Sequence, residues 1–209
     1  MNNTKEIILQ RALELFNEKG VEYGGMRELA ALLNMRVSNI TYYFATKDDL
    51  AGELMARLAE ANSNTVQKYK TSSLKDFLEM YRELFHNQYT YKCLFMSFVH
   101  LFTHHKQLAE GYTQIEKMRK QKLADTLNNL IARGFLKSGT DVASTGKLVA
   151  HISLIARFWI SESIVSYHHK STEDVIRHYL ELLCGVFIPY ATAKGKKEID
   201  VFLKNIAAT

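Results

Sequence analysis

Residues 26–50, MRELAALLNMRVSNITYYFATKDDL, hold two short helices and the start of a longer one with almost no loop between them. The first, MRELAALL (26–33), is entered through Gly24 and Gly25 and left through Asn34, residue types that tolerate the backbone conformations of helix ends. A second runs from Val37 to about Phe44. ATKDDL (45–50) then starts another helix, because Thr46 can cap it while Asp48 and Asp49 fall in its first turn, where the peptide dipoles favour negative charge. Upstream, TKEIILQRALELFNEK (4–19) puts Ile8, Ala12, Leu15 and Phe16 on one side with Leu9 and Leu13 beside them. That spacing predicts an amphipathic helix with Thr4 as its N-cap and Gly20 in the left-handed position after its last turn.

Three short helices and a capped fourth inside 50 residues have the layout of a helix-turn-helix unit, in which the helix from Val37 enters the major groove of DNA. The N-terminal residues of such a helix, here Val37, Ser38 and Asn39, point at base edges. Asn can read adenine with two hydrogen bonds, while Tyr42, Tyr43 and Lys47 lie where hydroxyl and ammonium groups can bond phosphate oxygens. Tyr42 reads equally well as a surface or packing tyrosine. Leu29, Ala30, Ile40 and Phe44 are expected in the core of the unit.

The segments ILQRALELFNEKG (8–20), MRELAALLNM (26–35) and SNITYYFATKDDL (38–50) resemble, in order and without gaps, the first helix, second helix and recognition helix with its following Lys of the tetracycline-repressor (TetR) family. The resemblance covers about residues 4–55, a quarter of the chain. It implies that Arg27, Val37, Ser38 and Asn39 approach bases and that Thr41, Tyr43 and Lys47 touch phosphates. Two positions depart from the family pattern. Gly25 stands where a Thr often caps the second helix and bonds a phosphate, and Thr41 stands where Tyr is common. The resemblance further implies an all-α protein with a DNA-binding domain at 1–47 and a ligand-binding and dimerisation domain at 48–209. The expected partners are a palindromic operator, a small-molecule effector and a second copy of the chain, packed through helices near 141–168 and 172–188.

The bulk composition fits a helical protein. Ten glycines and a single proline in 209 residues leave few forced breaks, and 47% hydrophobic residues suffice for a substantial core. The net charge of +5 does not locate a DNA face, because residues 1–50 carry six Lys or Arg against seven Asp or Glu. That balance leaves open a helix-turn-helix unit acting as an interaction module without DNA. Within 23–47 the balance turns to Arg27, Arg36 and Lys47 against Glu28. No run of about 18 uncharged apolar residues occurs, and MNNTKEIILQRALELF carries charges where a signal peptide needs an apolar stretch, so a cytoplasmic protein with no membrane partner is expected.

Further along, helices are expected from Lys47 to about Tyr69, over LKDFLEMYRELFHNQ (74–88) with Ser73 as cap, and over the apolar 91–103. Others follow to about Arg133 with Gly134 as stop, from Asp141 to His168, and over 173–187 ahead of Pro189, and the tail adds one more, for nine or ten in all. Aromatic and methionine residues collect in the middle of the chain. Met80, Tyr81, Phe85, Phe95, Met96, Phe98, Met118, Phe158 and Trp159 are the candidates to line an apolar effector pocket, although such residues at helical spacing also build plain core. Ile160 and Leu183 are expected at the dimer interface.

Other chemistry has little support. His100 and His104 are four apart, but Leu101 stands where a zinc-protease helix needs Glu, so structural roles are expected and no metal. KMRKQK (117–122) reads as a solvated helix face. Cys93 and Cys184 read as reduced core residues. There is no glycine-rich phosphate loop and no nucleophile motif, hence no expected enzymatic activity and no cofactor.

Overall fold

The computed structural model describes residues 2–104, 106–138 and 142–208. Eleven helices account for the architecture, and no strand occurs among the described residues. They are α1 (Asn2–Lys19), α2 (Met26–Leu32), α3 (Val37–Thr41), α4 (Lys47–Lys68), α5 (Leu74–Thr90), α6 (Lys92–Met96), α7 (Phe98–His104), α8 (Lys106–Ala132), α9 (Val142–Ser166), α10 (Thr172–Phe187) and α11 (Ala193–Ala207). The expected start of α9 at Asp141 lies outside the described residues, as do His105 and the His104 side chain. The chain divides into two compact units, residues 1–63 with 87–109 and residues 64–86 with 110–209.

In the first unit, α1 turns Ile8, Leu9, Ala12, Leu15 and Phe16 into a core shared with Leu29, Ala30, Ile40, Phe44, Leu50 and Leu54. Gly20 stops α1 at φ +86°, its amide donating to the Phe16 carbonyl at 2.7 Å. Only a residue free of a Cβ penalty holds that conformation cheaply. Gly24 lets the following turn lie on the Phe16 ring, since a Cβ there would fall 2.5 Å from the ring edge. Thr4 is not the N-cap, because α1 begins at Asn2 and Thr4 lies inside the helix. α4 opens with a reciprocal cap: the Asp49 amide donates to Thr46 Oγ1 at 3.2 Å while the Thr46 amide donates to Asp49 Oδ2 at 2.8 Å.

The apolar segment 91–103 is not one helix. It breaks at Ser97, whose side chain is 1% exposed and is engaged elsewhere: Oγ accepts from the Val21 amide at 3.0 Å and donates to the Glu22 carboxylate. Cys93, Leu94 and Leu101 complete the same core as α1. Asn17 adds a second tie, donating to the Thr90 carbonyl at 2.8 Å and accepting from the Cys93 amide at 3.0 Å. The segment 87–104 is therefore built into the N-terminal unit.

In the second unit, α9 packs against α10. An aromatic core runs through it: Phe85 stacks on Trp159 at 4.8 Å, Phe77 meets Phe187 edge-on at 5.4 Å, and Trp159 lies 5.5 Å from Tyr179. Ser171 caps α10 and Thr192 caps α11. α10 ends at Phe187, two residues before Pro189. Ile160 and Leu183, expected to face a partner, are both 0% exposed within the single chain and are core residues. The apolar residues that α9 and α10 leave exposed are instead Leu154 (59%), Val165 (78%), Leu182 (46%), Ile164 and, just past α10, Ile188. The stretch Thr145–Ser166 contains an 18-residue window with a mean hydropathy of 1.4, long and apolar enough by itself to cross a membrane, yet only 33% of that window is buried in the chain.

Candidate nucleic-acid interface

α3 is five residues long and is anchored by the burial of Ile40 (0% exposed) and of Phe44 (3%) just beyond its end. A single turn and a half has no stability of its own, so its orientation is set by those two side chains. Burying one side presents the rest: Ser38, Asn39, Thr41 and Tyr42 are exposed, Tyr42 at 73%. Val37 and Tyr43 are half-buried and pack against the core of the unit, so part of each expected DNA contact is occupied by packing. Tyr43 is met edge-on by Tyr42, with ring centroids 5.0 Å apart. Thr41 Oγ1 donates back to the Ser38 carbonyl at 3.3 Å.

α2 precedes it, and its N-cap Gly25 makes no side-chain cap bond. Nothing lies within 4 Å of the place a Cβ would take at Gly25, so the position is open to solvent or to a ligand. Arg27 is exposed in the first turn of α2, and the neighbouring Glu28 is neutralised by Lys19 at 2.5 Å, a bond that holds the Lys19 pKa above its ordinary value. Lys47 reaches back across the unit and donates to the Glu22 carbonyl at 2.7 Å. An ammonium has three donors, so that bond fixes the group beside the turn and leaves two donors for phosphate oxygens. Sequence reasoning had no means of finding it, because the partner is a backbone atom 25 residues away.

The other candidates are placed as follows. Met80, Tyr81, Phe85 and Trp159 are buried in the second unit, where burial holds the Tyr81 hydroxyl above its ordinary pKa. Phe158 is half-buried there, and Met118 is 61% exposed and so encloses nothing within this chain. Phe95, Met96 and Phe98 belong to the first unit and are half-buried. The Tyr179 hydroxyl, which sequence reasoning did not single out, is buried without a hydrogen-bond partner among the described residues. A groove of about 640 Å³ between α8 and α9 is lined by Thr113, Glu116, Lys117, Lys120, Thr145 and Val149 among others, none of them an expected pocket residue. No cluster of three or more His, Cys, Asp or Glu able to hold a metal occurs among the described residues. Cys93 and Cys184 are free and buried, and burial pushes both thiols up to about 12.

A short helix held by its buried side with a polar side outward, third in a run of three helices at the head of an all-helical chain, has the form of a helix-turn-helix regulator. Residues 8–54 match the family model described as bacterial regulatory proteins, tetR family, and residues 52–199 match the TetR model described as bacterial transcriptional repressor. The chain belongs to the TetR family of DNA-binding transcriptional regulators, which are not enzymes. It is 35% identical over 65 residues to the "Probable HTH-type transcriptional regulator YttP" of Bacillus subtilis (strain 168), a match spanning 31% of each protein. A TetR-family transcriptional regulator from Marinobacter aquaeolei VT8 has the same fold, with a TM-score of 0.84 at 16% identity over 97% of this chain and 98% of that one. A protein of Saccharomonospora viridis solved in complex with choline superposes with a TM-score of 0.68 at 16% identity, over 88% and 96% of the two chains.

Proposed function

We propose that the chain acts in the cytoplasm as a homodimeric repressor that binds a palindromic operator and is released from it by a small apolar or amphipathic molecule. Residues 1–47 would supply the DNA contacts and 48–209 the ligand site and dimer interface. The observation that carries the reading is the outward side of α3, where Ser38, Asn39, Thr41 and Tyr42 are exposed opposite the buried Ile40 and Phe44. Asn39 is assigned to a base edge, with Val37, Ser38 and Arg27 beside it. Thr41, Tyr42, Tyr43 and Lys47 are assigned to phosphates.

The apolar residues left exposed on α9 and α10 support dimerisation through these helices, since an exposed patch of this kind marks an interface. Support for an effector is the aromatic core of the second unit with its partnerless Tyr179 hydroxyl, a group that a bound molecule could satisfy. The S. viridis protein, of the same fold, was solved in complex with choline, which supports a small organic effector for this chain. A ligand that binds better to one arrangement of the dimer than to the other shifts the population and with it the operator affinity.

The test is a mobility-shift titration with DNA from the region upstream of the protein's own gene, with and without each hit of a thermal-shift screen that includes choline. A retarded complex that a hit dissolves is expected. Failure to retard any upstream fragment would remove the operator reading. Light scattering of Leu154→Glu and Leu182→Glu checks the interface: both should shift toward monomer, and two fully dimeric variants would place the interface elsewhere.

A further inference from the structure

Seven Lys and Arg fall in residues 2–63, and five of them are held inside the unit. Lys5 pairs with Glu53 at 3.4 Å, Arg11 with Glu14 at 2.8 Å, Lys19 with Glu28 at 2.5 Å, Arg57 with Glu6 at 2.5 Å, and Lys47 bonds the Glu22 carbonyl at 2.7 Å. Arg27 and Arg36 are exposed and have neither an ion pair nor a hydrogen bond among the described residues. Pairing leaves the net charge of the first 50 residues unchanged, but it singles out Arg27 and Arg36 as the cations of residues 2–63 left open.

Arg36 stands where it harms its own helix. It is the N-cap of α3, at φ −75° and ψ 146°, and its side chain makes no cap bond. A Ser, Asn or Asp there would satisfy one of the free amides of the first turn, whereas a cation is opposed by the peptide dipoles. In a helix of five residues that is a poor choice for stability. Residues that break a local rule without a structural return are commonly ones used for binding. Arg36 adjoins the exposed Ser38 and Asn39, at the end of α3 that a helix-turn-helix unit turns toward base edges. Val37 beside it is half-buried and apolar and offers no hydrogen bond.

We propose that Arg36 reads a guanine at one position of each half-site, its two parallel N–H donors meeting the O6 and N7 acceptors in the major groove. The planar fork of a guanidinium meets both acceptors in a fixed geometry, whereas an ammonium on a flexible stem reaches them with less definition. The inference rests on the reading of the chain as an operator-binding protein and adds a specificity residue to it.

The experiment uses the full-length protein and a duplex enriched by the wild type from a random-sequence pool, with all single-base variants of that duplex titrated at several salt concentrations. The enriched site should carry a G·C pair at one position per half-site, whose replacement by A·T weakens the wild type about tenfold or more. Arg36→Ser should bind the enriched duplex weaker by a similar factor and lose nothing further on the replaced one, while its Tm stays level or rises by about 2–4 °C from the restored cap. Arg36→Lys should keep the salt slope and weaken the guanine preference. Wild-type affinity for Arg36→Ser would overturn the inference. So would an equal loss on every duplex with the salt slope reduced by about 0.9, which marks a phosphate contact. A wild type that enriches no sequence would instead bring down the operator reading itself, and the inference with it.

Discussion

Asn17 is a side chain whose removal should be felt well beyond α1. Its amide bonds the Thr90 carbonyl near the end of α5 and the Cys93 amide in the first turn of α6, at 2.8 and 3.0 Å. The first amides of any helix lack an intrahelical partner, so Asn17 supplies to α6 the cap that Tyr91, with no side-chain cap bond, does not. In Asn17→Ala, water can take the exposed Thr90 bond for a loss of about 0.5–1 kcal/mol, whereas the amide of the fully buried Cys93 loses its acceptor for about 1–3 kcal/mol. The sum is about 1.5–4 kcal/mol. For a chain of this size, at about 2–4 °C per kcal/mol, it corresponds to a fall in Tm of about 3–16 °C. Asn17→Asp keeps the acceptor for Cys93 and gives up only the donor to Thr90, so it should lose less than half as much. Thermal and urea melts followed by circular dichroism, at one fixed protein concentration because dimerisation makes Tm concentration-dependent, measure both variants. An Asn17→Ala protein melting within about 1 °C of the wild type, or an Asn17→Asp protein melting below it, would refute this assignment of the bonds.

Three further outcomes are expected. Lys47→Ala should weaken binding to all DNA sequences alike and flatten the salt dependence by roughly one unit, with about 1 kcal/mol of stability lost through the Glu22 carbonyl, whereas Asn39→Ala should cost about 1–3 kcal/mol on the preferred site and relax one base pair per half-site; titration on single-base operator variants separates the two. Gly195 packs against the Phe135 carbonyl so closely that a Cβ would collide with it, so Gly195→Ala should lower stability by about 1–3 kcal/mol in a urea melt, and an unchanged midpoint would show that α11 moves aside freely. Glu83 accepts bonds from Lys68, Thr65 and Tyr69, and chiefly the Lys68 bond holds its pKa below the ordinary carboxylate value. Its stabilisation is present above the unfolded pKa near 4.5 and is lost as pH falls through the lower folded value, so Glu83→Gln should narrow the stability difference between pH 7 and pH 3, and an identical acid profile would count against the cluster.

What could be read from the residues was what local chemistry decides. The period of Ile8, Ala12, Leu15 and Phe16 fixed the buried side of α1, Gly20 fixed its end, and Thr46 with Asp49 fixed the start of α4. The exposure of Ser38 and Asn39 followed from the placement of Ile40 and Phe44. What escaped depends on partners distant in sequence. Ser97 divides an apolar run that periodicity treats as continuous, because its hydroxyl bonds Val21 and Glu22, about 75 positions earlier. α9 is apolar on several sides, so its pattern could not tell Ile160, which is core, from Leu154, which is exposed. Arg36 stood out only once five of the seven cations in residues 2–63 were seen to be held by partners.

The inclusion of residues 87–109 in the N-terminal unit bears on how such regulators can be recombined. The matched N-terminal family segment stops at residue 54, which invites a cut there when one head is to be exchanged for another. A graft made that way would leave behind Cys93, Leu94 and Leu101, which share the core of α1, and both ties made by Asn17 and Ser97. The transplanted head would meet a foreign α6 whose residues were never fitted to it. A chimera that keeps a working head therefore has to take two separate stretches of the chain, and the exchangeable module is defined by shared packing and not by contiguity in the gene.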